Sequence, residues 1–194
     1  FHALQKSVDG SEPAWLSRVR ADAFTRFTEL GFPTARRGNE RWKYTNVGSI
    51  AKADFSLANN RASINGSNEL VPRYRIDGTS VYDLVFVDGH ISPNLSSLSA
   101  PSIEAPSNGF AATSLATAFS DSGFDLKNQI GSQAVIDGDD GFVALNTAFL
   151  YDGAYVNVPA DHSGQVVVRV SYITVDGTTP KVTHPRTLIV AGRN

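Results

Sequence analysis

The chain contains no cysteine and no methionine. Without a thiol it can form no disulfide, supply no thiolate nucleophile and hold neither iron nor zinc through sulfur. Without a methionine it does not begin as a translated product begins, and Phe1 reads as the start of a trimmed piece of a longer protein. An excess of one charge is also missing: 17 basic and 19 acidic residues leave a formal charge of -2. Such a balance creates no global field that would collect nucleic acid or an anionic membrane. No apolar run approaches the ~20 residues of a membrane span, and "FHALQKSVDG" lacks the apolar core of a signal peptide. These absences lead to the expectation of a cytoplasmic protein with no nucleic-acid and no membrane partner. At 194 residues the chain can bury its core without metal or disulfide support.

Recognisable chemistry is equally sparse. His2, His90, His162 and His184 are scattered beside turn signals without metal-ligand spacing, so each reads as a solvated turn residue. His184 precedes Pro185, which requires an extended residue there. The acidic run "DGDDG", residues 137–141, invites a calcium loop, but an EF-hand starting at Asp137 needs glycine at 142 and an acid at 148; Phe142 and Ala148 stand there instead. It reads as a solvated turn. No phosphate-binding glycine loop and no Gly-x-Ser-x-Gly elbow occurs. The expectation is therefore a chain with no catalytic, cofactor-binding or metal residue of its own.

Periodicity organises the rest. Trp15, Leu16, Val19, Ala23, Phe24, Phe27 and Leu30 recur at helical steps, predicting one amphipathic helix between Ser11 and Gly31. Ser11 suits its N-cap, Pro13 its first turn, Gly31 its left-handed end, and Pro33 prevents continuation. A second helix is predicted over "FVALNTAF", residues 142–149, with Phe142, Leu145, Ala148 and Phe149 on one side, and a short one over 113–119. Asp77-Gly78 and Asp88-Gly89 punctuate β-branched and aromatic runs, as hairpin turns do. The last fifty residues carry three strand patterns: "AYVNVPA", "QVVVRVSYITV" and "RTLIVAG". The predicted organisation is a helical region 1–58, a polar linker 59–70 and a β-rich region 71–194. Unpaired edges on the last strands would invite self-association.

The stretch "ARRGNERWKYTNVGSI", residues 35–50, combines Trp42 and Tyr44 with Arg36, Arg37, Glu40, Arg41 and Lys43. A nucleic-acid surface would need a basic field around it, which the overall charge does not provide. As an extended segment it would turn Trp42 and Tyr44 to one side as packing anchors, with Arg41 and Lys43 in solvent and Glu40 meeting Arg36 or Arg37.

Four strings in order, "NERWKYTNVGSI", "DLVFVDGHISPNLSSL", "FVALNTAFLYDGAYVNVP" and "HPRTLIVAG", resemble the SufD family of iron-sulfur cluster assembly proteins. They run from the first third of the chain almost to its end. The pattern of Glu40, Trp42, Lys43, Tyr44 and Thr45 resembles SufD more closely than its paralogue SufB, and is read as structural. The resemblance implies an α+β fold in which a helical N-terminal region leads into strands that begin a right-handed parallel β-helix, here truncated. It also implies a non-catalytic subunit of a SufB-SufC-SufD-type complex, with a SufB-like paralogue and a SufC-like ATPase as partners. The complex would handle iron-sulfur clusters and the ATPase would use ATP, with no cofactor in this part of the protein. The alternative is a carbohydrate-binding or carbohydrate-active β-solenoid. That reading needs acidic residues clustered on a strand face, whereas the carboxylates here fall mostly in turns.

Overall fold

The computed structural model describes residues 1–8, 12–35, 39–58, 81–96, 109–121, 123–130, 140–162, 167–175 and 179–193. Its helices are α1 (His2–Val8), α2 (Ala14–Leu30), α3 (Gly48–Lys52), α4 (Leu115–Ser120), α5 (Leu126–Gln129) and α6 (Gly141–Ala148). Its strands are β1 (Ser56–Leu57), β2 (Val81–Val87), β3 (His90–Ile91), β4 (Ala111–Ser114), β5 (Gly153–Val158), β6 (Val167–Ile173), β7 (Lys181–Val182) and β8 (Arg186–Ala191). The fold is α+β. It divides into a helical unit of residues 1–56 and 122–150, and a sheet unit of residues 57–121 and 151–194.

In the helical unit α2 packs on α6. The periodic apolar face predicted for α2 buries Leu16 and Ala23, and from α6 come Ala144, Thr147 and Ala148. On α6 the buried side is thus made of small residues, while Phe142 and Leu145, expected to lead it, are only partly covered. Small side chains let the two backbones approach. A Cβ placed on Gly141 would lie 2.0 Å from the Gly31 carbonyl oxygen, so only glycine fits the start of α6. Gly31 ends α2 with its N–H donating to the Phe27 carbonyl, but at φ 66° and ψ -166° it lies outside the left-handed helical conformation expected of it, in a region open to glycine. The other end differs from the sequence reading: the helix starts at Ala14 with Pro13 at the N-cap, and Ser11 lies outside the described residues. The short α1 adds Leu4 and Val8 to the buried set, and the Phe1 ring stacks on Phe24 with centroids 4.2 Å apart.

Among the described residues one charged side chain is buried within this unit. Arg20, 3% exposed, donates from Nε to the Leu150 carbonyl (2.6 Å) and pairs with Glu12. The guanidinium thereby holds the end of the α6 segment against α2, and its charge is met by a carboxylate rather than left bare.

Among the described residues are two three-stranded sheets, ordered β3-β2-β6 and β4-β5-β8, and a two-stranded sheet of β1 and β7. In the first, β2 is antiparallel to β3 and parallel to β6, with Leu84 opposite Val170. In the second, β5 is antiparallel to β4 and parallel to β8, with Tyr155 opposite Leu188. Leu84, Phe86 and Ala154 form a buried cluster, packed by Ile91, Ala112, Val168 and Val170. Asp88 (φ 49°) and Gly89 (φ 83°) turn the chain from β2 into β3, as the Asp-Gly signal predicts. Asp77-Gly78 lies outside the described residues, as do residues 59–70 and 97–108.

The described strands form small mixed sheets and not a solenoid. Val81 pairs with Val167, but Gly153 pairs with Arg186, so the two parallel connections differ more than twofold in length. A solenoid repeats a rung of constant length. The helix expected over 113–119 is also shorter and later: Ala111–Ser114 form β4, and α4 begins at Leu115 with the Ser114 hydroxyl accepting the Thr117 N–H.

Candidate functional site

The motif residues Glu40 to Thr45 lie in the helical unit, in two successive turns rather than an extended segment. The Trp42 N–H donates to the Asn39 carbonyl (3.2 Å) and the Thr45 N–H to the Trp42 carbonyl (3.0 Å). Turning the backbone separates residues that a strand would have placed on one side. Trp42 is partly buried, its ring centroid 5.3 Å from that of Phe142. Phe142 in turn meets Phe32 at 5.6 Å, and Phe32 meets Phe27 at 5.2 Å, so the indole continues an aromatic row that reaches α2. Tyr44, expected as the second anchor, is 89% exposed instead. The Lys43 ammonium sits 5.4 Å from its ring centroid, and the same ammonium pairs with Glu40 at 3.4 Å. Arg36 and Arg37, the expected partners of Glu40, lie outside the described residues.

The turn is fixed from a second direction by Arg41, which donates to Asp140 Oδ2 at 3.3 Å. Asp140 is the N-cap of α6, and its Oδ1 accepts the N–H groups of Phe142 (3.0 Å) and Val143 (3.4 Å). One carboxylate therefore satisfies two of the helix's open donors and an arginine. The acidic run read as a solvated turn ends in a working cap. An Asp immediately before a helical pattern is the signal that points to it.

Among the described residues the sheet unit buries three carboxylates. Asp83 sits opposite Arg169 on the parallel neighbour strand and accepts its guanidinium N–H at 2.6 Å. Asp88 accepts the Lys181 ammonium (2.9 Å) with one oxygen and the Val175 N–H (3.0 Å) with the other. Asp152, 3% exposed, accepts three backbone N–H groups: Ile91 at 2.9 Å, Ala116 at 3.1 Å and Gly153 at 2.8 Å. It thus joins β3, the first turn of α4 and the start of β5. Burial pushes the Asp152 carboxyl above the usual carboxylate range, although the three amides and the nearby His90 pull the other way. Nothing local in the sequence marks this hub, because two of its partners lie far away along the chain.

The histidines stay apart. His2 Nδ1 is 3.1 Å from Gln5 Oε1; His90 Nε2 is 3.3 Å from the Ala58 carbonyl, with its ring edge-on to Tyr151; and His162 lies against Phe110. His184, expected in solvent, is partly buried, and desolvation lowers its pKa to about 4. Burial also raises Tyr155 and lowers Arg186 from their ordinary values. Among the described residues no three His, Asp or Glu side chains come together as a metal site. No helix among them is long and apolar enough to cross a membrane.

The charged and aromatic groups described above tie one element of each unit to another. The family model described as the SufBD protein N-terminal region matches residues 1–170, and the chain belongs to the SufBD family. A curated relative, an iron-sulfur cluster assembly SufBD family protein of Synechocystis sp., is 27% identical over 190 residues, which cover 98% of this chain and 39% of the relative. The chain spans about two fifths of that relative's length.

Proposed function

We propose that this chain is the N-terminal region of a SufD-type, non-catalytic subunit of a SufB-SufC-SufD-type complex that assembles and delivers iron-sulfur clusters in the cytoplasm. The observation that carries the reading is the family match over residues 1–170. In this reading a SufB-like paralogue is the partner subunit, a SufC-like ATPase uses the ATP, and the cluster is cargo. The chain has no cysteine to hold that cargo, so thiolate ligation falls to other parts of the complex. The right-handed parallel β-helix is assigned to the length of the relative that this chain does not span. The Glu40, Trp42, Lys43, Tyr44 and Thr45 motif serves a structural role in which Trp42 docks the turn on α6, with residues 59–70 as the connection between a helical region 1–58 and a β-rich region 71–194.

The test is co-expression of the gene product containing this chain with the SufB-like and SufC-like proteins of the same genome. Co-elution of all three in size-exclusion chromatography is the expected result. A stable complex of the other two that excludes this protein would overturn the reading.

Self-association through strand edges belongs to the same proposal. Strands β6 and β8 end their sheets among the described residues, and β8 turns Thr187, Ile189 (64% exposed) and Ala191 outward. A second copy can add a strand there. Sedimentation of the chain should show concentration-dependent dimers that Ile189→Lys abolishes; a monomer at all concentrations would remove this part of the reading.

A further inference from the structure

We draw no further inference here: the strongest candidate, the exposed Tyr44 ring on the turn that Trp42 and Arg41 pin to the helical unit, carries nothing because nothing in the structure shows what covers it.

Discussion

Removing the Asp152 carboxylate should loosen the sheet unit at three places at once. In Asp152→Ala the N–H groups of Ile91, Ala116 and Gly153 all lose their acceptor. A buried donor left without a partner costs about 1–3 kcal/mol, so the three together should cost roughly 3–5 kcal/mol after partial relaxation. Asp152→Asn is the sharper test. Its amide oxygen can keep the two bonds now made by Oδ1, to Ala116 and Gly153, but its NH2 group then faces the Ile91 N–H, donor against donor. That single conflict should cost about 1–3 kcal/mol, lessened because the neutral amide avoids burying an ionised carboxylate. Both tryptophans, Trp15 and Trp42, lie in the helical unit, so indole fluorescence does not report on this site. Amide hydrogen exchange does. Protection at Ile91 should fall strongly in Asp152→Asn, protection at Ala116 and Gly153 only slightly, and all three should fall in Asp152→Ala. The pH dependence adds a sign. The folded pKa is raised above the unfolded value, so the folded state takes up the proton first as pH falls. Asp152 therefore contributes more stability as pH drops through its folded pKa toward 3.8, and the gap between the native chain and Asp152→Asn should widen in that window. Equal protection in both chains, or a gap that narrows on acidification, would refute the reasoning.

Two further outcomes follow from the geometry. Trp42→Ala removes a partly buried indole from the end of the row that runs through Phe142 to Phe27 and should cost about 2–4 kcal/mol, less than a fully buried ring; Tyr44→Ala, at an exposed ring, should cost less than about 0.5 kcal/mol. Thermal melts followed by circular dichroism compare the two, and equal losses would contradict the assignment of Trp42 as the anchor. For His184 the folded pKa of about 4 lies below the ordinary 6.5, so its neutral form is favoured in the folded state. Its contribution is complete above pH 6.5 and is lost as pH falls from there toward 4; His184→Asn should flatten that part of the acid limb in denaturant melts across this range. An unchanged acid limb would show that the ring is solvated.

How far the sequence spoke for itself depended on the distance between partners. Helix α2 was legible because its apolar spacing, Gly31 and Pro33 all act within a few residues of one another. The hairpin at Asp88-Gly89 was legible for the same reason. Strand β4 was not: of Ala111, Ala112, Thr113 and Ser114 only Thr113 is a strand former, and the four are extended because β5 pairs with them. The four-residue step from Leu4 to Val8 was the only hint of α1, and a helix so short is set by packing rather than propensity. Of the motif, the Trp42 ring meets Phe142 while Tyr44 is exposed, because the backbone turns where strand alternation would put both on one side. Asp152 looked like half of an Asp-Gly turn. Its role depends on Ile91 and Ala116, which no local window contains together with it.

The division of the chain also shapes how it must be made. Helix α2 leaves the ribosome long before α6, the helix it packs against, and the residues between include the first half of the sheet unit. Synthesis at ~5–20 residues per second spaces the two helices by on the order of ten seconds. Throughout that interval the apolar face of Leu16 and Ala23 has no α6 to cover it, and β2, once made, has no β6 to pair with. The helical unit cannot close until α6 has emerged and the sheet unit cannot close until β8 has, so each waits for a late segment, a period in which holding chaperones have the most to protect.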